Sequence, residues 1–271
     1  MPELPEVETV MRGLAPVWQG QRFTQVVAHR PDLRRPLPQD LGQRLTGAVV
    51  TGLSRRAKYG LVETDRGDTL IIHLGMSGRM RVDPESRARH DHVVFATANG
   101  RVVAFNDARR FGSLDLVPTE SAAAHPLLAG IGPEPLGPDF GVALLARAFA
   151  DRLAPAKALL LDQRLIAGLG NIYVCEALFR AGIHPETPGG QVPTARLKRL
   201  AAAIPVVLED AIAAGGSTLR DHAAPDGTLG YFQKDFAVYG RAGQGCGTCG
   251  TVIARIVQSG RSSFFCPRCQ R

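Results

Sequence analysis

Two CxxC knuckles near the C-terminus, Cys246-Gly-Thr-Cys249 and Cys266-Pro-Arg-Cys269, constrain this chain more than any other feature. Sixteen residues separate them, room for a hairpin that gathers four thiolates around one Zn²⁺. VIARIV and SSFF supply its strands, with QSGR at the tip. Disulfides are the rival use of four cysteines, but nothing in the chain indicates export, so zinc is the expected occupant. With no histidine ligand and no open coordination position, that zinc is expected to be structural, stabilising a ribbon too small to fold on its own core. Arg255 and Arg268 lie on or beside the ribbon, where they would balance thiolate charge. Arg261, at the glycine-containing tip, suits phosphate or groove contact instead. The fifth cysteine, Cys175, sits in an apolar helical stretch and reads as core.

The rest of the chain is large enough, at 271 residues and 45% hydrophobic, to bury a core and divide into two domains. No stretch approaches the ~18 apolar residues of a membrane span, so a soluble, cytoplasmic protein is expected, with no membrane partner. The opening MPELPEVETV lacks the basic start of a secretory leader. A net charge of +7 suggests a polyanionic partner. Of 32 basic residues only Lys58, Lys157, Lys198 and Lys234 are lysines. A lysine kept among so many arginines points to a need for a compact amine. Lys198, in RLKRL, reads as a solvated helix residue, and Lys58 and Lys157 are kept as candidates.

After one N-terminal helix, residues to about 130 read as strands: VVAHR, AVVTGLSRRA, GLVETD, TLIIHL, HVVFATA, RVVAFND and SLDLVP. Asn99-Gly100 is a hairpin turn. This spacing indicates a sandwich or barrel. The proline- and glycine-rich LLAGIGPEPLGPDF reads as a linker. Residues 142–153, 156–166, 171–181 and 194–214 carry helical apolar spacing. A glycine-rich stretch from 215 to 245 reads as a long loop.

PELPEVE, RRAKY, HLGMSGR, DARRFG, LDQRLIAGLGNIYVCEALFRAGIHP and the four-cysteine ribbon occur in this order along the chain. Together they closely resemble the formamidopyrimidine-DNA glycosylases, with Leu4 pointing to that branch rather than to the endonuclease VIII branch. The resemblance implies an α+β chain. Residues 1–130 would form a catalytic β-sandwich with an N-terminal helix and 131–145 a linker. A helix-two-turns-helix domain with a lesion-capping loop would span 146–240, and a zinc finger 241–271. It implies a monomer acting on damaged double-stranded DNA, excising oxidised purines and cleaving the abasic site.

The resemblance also assigns roles. Removal of Met1 would leave Pro2 as a secondary amine that attacks the sugar C1′ and forms an iminium. Glu3 matches the general acid/base. Glu6 matches a supporting glutamate, although a helix-start carboxylate explains it equally well. Lys58 matches a lysine that assists elimination, and Arg261 joins the catalytic set. Met76, Arg109 and Phe111 would fill the gap left by a flipped nucleotide. From the residues alone, Met76 and Phe111 read as core and Arg109 as surface charge. Lys157, Asn171, Tyr239 and Arg261 would grip phosphates, with AGLGN offering backbone N–H groups at a helix start. Tyr239 could equally be a half-buried linker aromatic. His73, Asp91 and His92 read as hydrogen-bonding or phosphate-contacting strand residues, with His92 counted among the DNA contacts. Ser217–Tyr231 would be the capping loop. Two alternatives stay open: an oxidised-pyrimidine glycosylase with the same machinery, and a catalytically silent damage-binding protein.

Overall fold

The computed structural model describes residues 1–217 and 224–271. The chain forms two compact units, Met1–Ala129 with Ala214–Tyr231, and Gly130–Ala213 with Phe232–Arg271.

In the first unit, helix α1 (Leu4–Trp18) starts at a reciprocal capping box between Glu3 and Glu6. Pro5 falls in its first turn, where a missing N–H costs nothing. Its apolar face, Val7, Val10, Met11, Leu14, Val17 and Trp18, joins the main core. Next come β1 (Phe23–Ala28), a short α2 (Leu41–Leu45), β2 (Val50–Arg56), β3 (Tyr59–Thr64) and β4 (Asp68–His73). β5 (Arg79–Val82), β6 (Asp91–Thr97), β7 (Val102–Asn106) and β8 (Ser113–Pro118) complete two antiparallel four-stranded sheets, ordered β1-β6-β7-β5 and β2-β3-β4-β8. This is the expected sandwich. Alternate inward residues such as Phe95, Phe105, Leu70 and Ile72 fill it, and Trp18 packs edge-on to Phe23 at 5.4 Å. The Asn99-Gly100 turn joins β6 to β7, with Gly100 at φ +80°. β5 was not expected, because RMRV is short and half charged; it pairs with β7 through the backbone.

In the second unit, α3 (Val142–Phe149), α4 (Ala156–Leu161), α5 (Asn171–Ala181) and α6 (Thr194–Ala213) are the helices. Helix α4 ends five residues before its apolar pattern does. Gln163 explains the early stop: its amide donates to the Leu161 and Leu169 carbonyls and accepts from Gly168 N–H, binding the chain into a turn. Helix α6 runs through Pro205 without stopping, held by its buried face of Leu197, Leu200, Ile204, Val207 and Leu208. The C-terminal ribbon is the hairpin of β9 (Ala254–Gln258) and β10 (Arg261–Phe265). Ser259 and Gly260, at φ +47° and +74°, form the left-handed two-residue turn that suits strand twist.

Candidate functional site

The head of α1 buries three chemical groups together. Pro2, Glu3 and Glu6 all lie inside the surface, while Met1 is 56% exposed. Glu6 Oε2 accepts the Glu3 N–H at 2.9 Å, closing the capping box. Its other oxygen, Oε1, accepts both the N–H and the hydroxyl of Ser217, at 2.8 and 2.9 Å. Ser217 in turn bridges to Tyr231. Glu6 is therefore both a helix-start carboxylate and the anchor for the foot of the segment expected to cap a base. Residues 218–223 of that segment lie outside the described residues.

The RRAKY hairpin places Lys58. Arg56 pairs with Tyr59, leaving Ala57 and Lys58 as the connecting loop, with Ala57 at φ +52°. Lys58 is only 8% exposed. The hairpin is tied to α1 by Arg55 Nε on Glu8 at 2.9 Å and by close packing of Gly60 on Met11. A Cβ at Gly60 would fall 2.4 Å from the Met11 sulfur, so a larger residue there would force the Met11 side chain to move. On the next strand, His73 stacks on Tyr59 at 4.9 Å, and its Nδ1 accepts the Gly75 N–H. Burial, aided by the charges of Lys58, Arg34 and Arg35, pushes its pKa down to about 4. His73 is thus a neutral imidazole at physiological pH.

Met76 and Phe111 are 40% and 41% exposed, which overturns the residue-based reading of them as core. Met76 lies in a tight turn, and Phe111 lies in the loop just after the turn at residues 108–109. Gly75, at φ +65°, lies against the backbone of Phe111 so closely that a Cβ would come within 2.3 Å of it. The Arg109 guanidinium stacks over the Phe111 ring at 4.8 Å. Two apolar tips and one cation are thus displayed together.

In the second unit Arg261 is exposed at the hairpin tip. Lys157 is 1% exposed, and its ammonium donates to Ser262 O at 3.0 Å and Ser263 Oγ at 2.6 Å. Asn171 Nδ2 donates to the same Ser262 carbonyl at 2.9 Å. Both side chains expected to grip phosphate therefore hold the residue following Arg261. Tyr239 is half-buried against Phe236 and Phe264, and its N–H is one of three backbone donors, from Ala237, Val238 and Tyr239, that converge on buried Glu176.

Beneath the hairpin, the sulfurs of Cys246, Cys249, Cys266 and Cys269 lie within 4.8 Å of one another. Tetrahedral zinc–thiolate bonds of about 2.3 Å would set sulfurs about 3.8 Å apart. The Cys249–Cys266 and Cys246–Cys269 separations, 3.5 and 4.0 Å, bracket that value. Hydrogen bonds from Thr251 lower the Cys249 thiol to about 6, favouring the ligating thiolate, whereas desolvation raises Cys269 to about 12. The donor set fits one structural zinc, and Cys175 packs beneath it in the core, as expected.

Family models carry the same order of parts. The formamidopyrimidine-DNA glycosylase N-terminal domain matches residues 1–114, the H2TH domain of that glycosylase 131–223, and the zinc finger found in FPG and IleRS 243–271. The chain belongs to the formamidopyrimidine-DNA glycosylase family. It is 62% identical over 271 residues to the formamidopyrimidine-DNA glycosylase of Novosphingobium aromaticivorans, covering all of both chains. Identity to that of Caulobacter vibrioides is 55% over 286 residues, again with full coverage. Among solved structures, the MutM (Fpg) protein of Thermus thermophilus superposes with TM-score 0.90 at 41% identity, covering 99% of this chain and 98% of that one. The Lactococcus lactis Fpg in complex with DNA containing an abasic site superposes at 0.92, with 38% identity and full coverage of both.

Within this family frame, the first unit brings together Pro2, Glu3 and Glu6 at one helix start and Met76, Arg109 and Phe111 at one pair of turns. His92 is 6% exposed, with Nε2 on the Asp107 carbonyl at 2.8 Å, while its neighbour His90 keeps partial exposure. Ser77, Asp107 and Glu176 are not singled out by the sequence, and Ser217 only as the start of the expected capping loop. All four act through hydrogen bonds to distant segments, which no local spacing reveals.

Proposed function

We propose that this glycosylase excises oxidised purines from double-stranded DNA and cleaves the resulting abasic strand, with Pro2 as nucleophile. The observation that carries this reading is the buried Pro2-Glu3 pair at the capped start of α1, beside an anchored Ser217. Relatives of 55–62% identity bear the glycosylase name, and Lactococcus lactis Fpg has been crystallised on abasic and Fapy-dG DNA. Removal of Met1 frees the Pro2 amine. Its nitrogen lone pair attacks C1′, the bond from C1′ to the base breaks, and the base leaves with the proton lost by the amine; the C1′–O4′ bond then opens, O4′ taking a proton that Glu3 supplies or relays, so that the open sugar is held on Pro2 as an iminium. The resulting iminium acidifies C2′–H. Loss of that proton expels the 3′ phosphate, and a second elimination expels the 5′ phosphate. Lys58 steadies a flanking phosphate and assists the first elimination, and Arg261 serves the second.

Met76, Arg109 and Phe111 occupy the space of the extruded nucleotide, offsetting an unstacking cost of a few kcal/mol. Lys157 and Asn171 hold the Arg261 hairpin in place, and His92 steadies the loop carrying Arg109 through the Asp107 carbonyl. Cys246, Cys249, Cys266 and Cys269 hold the zinc, which keeps the ribbon folded and takes no part in bond breaking. The protein acts as a monomer in the bacterial cytoplasm; no helix among the described residues is long and apolar enough to cross a membrane.

Borohydride reduction during turnover of an 8-oxoguanine duplex tests the assignment. The trapped adduct should map by peptide mass to an N-terminal peptide beginning at Pro2. An adduct on Lys58 in the native protein would overturn it, and cutting confined to oxidised pyrimidines would move the enzyme to the endonuclease VIII type.

A further inference from the structure

Asp107, the first residue of DARRFG, is fully buried, with 0% exposure. Its carboxylate collects donors from both turns that display Met76, Arg109 and Phe111. Oδ1 accepts the Ser77 hydroxyl at 2.5 Å and the Arg109 N–H at 3.3 Å, and Oδ2 accepts the Gly112 N–H at 2.7 Å. Ser77 Oγ also accepts the Arg109 N–H, at 3.1 Å, so serine and aspartate share that donor. The Asp107 main chain is itself fixed, its N–H on His90 O and its carbonyl on His92 Nε2. Ser77 follows Met76, and Gly112 follows Phe111. One carboxylate therefore clamps the residue after each apolar tip and the backbone of the cation between them. Glycine lines this clamp because nothing larger fits: a Cβ on Gly112 would lie 2.8 Å from His73 O and 3.1 Å from Asp107 Oδ2.

We propose that Asp107 is the positioning residue that makes the Met76 turn and the Arg109–Phe111 loop a single rigid wedge. In this role it sets how the enzyme enters the helix and reads the base opposite the lesion, without taking part in bond breaking. The inference rests on the reading of those three residues as the group that fills the vacated space. A carboxylate is the group for this place because it offers acceptors in every direction and no donor. Asparagine, of the same shape, must turn its NH₂ toward either Gly112 N–H or Arg109 N–H. Turned toward Gly112 it leaves that buried N–H facing a donor, and turned toward Arg109 it takes the acceptor from the Ser77 hydroxyl, a loss worth about tenfold or more in the population of the clamped state.

The test uses the full-length zinc-loaded protein and two readouts. The first is binding to a duplex carrying an uncleavable tetrahydrofuran site opposite 2-aminopurine, whose fluorescence reports unstacking without any catalysis. Asp107→Asn should cut the fluorescence change severalfold at saturating protein, approaching the Met76→Ala value. The second is single-turnover cleavage of 8-oxoguanine opposite C and opposite A, beside a single-stranded abasic oligonucleotide that has no opposite base to read. Asp107→Asn should lose about tenfold on the duplexes and flatten the C/A ratio, while single-strand cleavage stays within about twofold. Ser77→Ala removes one clamp bond and should fall between wild type and Asp107→Asn, adding little in the double variant; it also serves if Asp107→Asn folds poorly. Equal losses on single strand and duplex, or a wild-type fluorescence change in Asp107→Asn and Ser77→Ala, would overturn the proposal. If no lesion is cut by wild type, the glycosylase reading fails, and the uncleavable duplex still decides the wedge.

Discussion

Glu3 and Glu6 are both buried carboxyl groups three residues apart, yet their surroundings separate their tasks. Glu6 is committed on both oxygens, to the Glu3 N–H and to Ser217, and in the proposed mechanism proton transfer falls to Glu3, whose carboxyl also closes the capping box. A damaged nucleoside has a closed sugar and an attached base, so attack by Pro2 needs acid help. An abasic site already equilibrates with an aldehyde. Glu3→Gln should therefore lose about 10²-fold or more at 8-oxoguanine and clearly less at preformed abasic sites. Equal fractional losses in single-turnover rates would remove the base-release role. His73 gives a second prediction at this scale. Its folded pKa of about 4 lies below the unfolded 6.5. Between those values the unfolded chain binds a proton that the folded chain refuses, so stability falls as pH drops from 6.5 towards 4 and levels off below. The loss is at most about 3 kcal/mol. Urea unfolding at pH 7, 5 and 4 should show a shallower decline for His73→Gln; a smaller slope remains, because burial shifts His29 and His184 the same way.

At the scale of elements, the C-terminal hairpin was legible from CxxC spacing and a glycine tip, because both are local chemistry. The lysines were legible only in part. Scarcity singled out Lys58 and Lys157, but it could not distinguish an exposed phosphate grip from an ammonium buried against Ser262 and Ser263. That distinction depends on β10 docking beside α4, a contact across more than a hundred residues of chain. The length of α4 was misread for a related reason: apolar periodicity persists to Ile166, but Gln163 spends its amide on the turn. The exposure of Met76 and Phe111 was not legible from the residues alone, since an exposed methionine and a core methionine look alike in one dimension. Arg261→Ala and Lys157→Met separate contact from support. Arg261→Ala should lower the slope of log K against log salt by about one for any DNA, zinc content unchanged. Lys157→Met should weaken binding as well and also loosen β10, seen as faster amide exchange at Ser262 and Ser263. Unchanged exchange there would mean that the ammonium does not hold the hairpin.

For the whole molecule, the two units have separate cores, and the single tryptophan, Trp18, is fully buried in the first. This gives a direct test of how far the metal's influence reaches. Chelation should release one zinc per chain and weaken binding to lesion and undamaged DNA alike, while Trp18 emission stays at its folded wavelength. A red shift of that emission on zinc loss would show that the ribbon supports the sandwich as well. The arrangement around Gly75 and Gly112 has a different kind of consequence. The path of both turns is fixed by glycine contacts and by Asp107, groups that never need to touch a nucleotide, whereas Met76, Arg109 and Phe111 contribute side chains to the tips and little to the frame. Mutation can then retouch the tips one at a time without undoing the frame. A lineage with this layout can explore new pairing preferences through changes that each leave a folded enzyme behind.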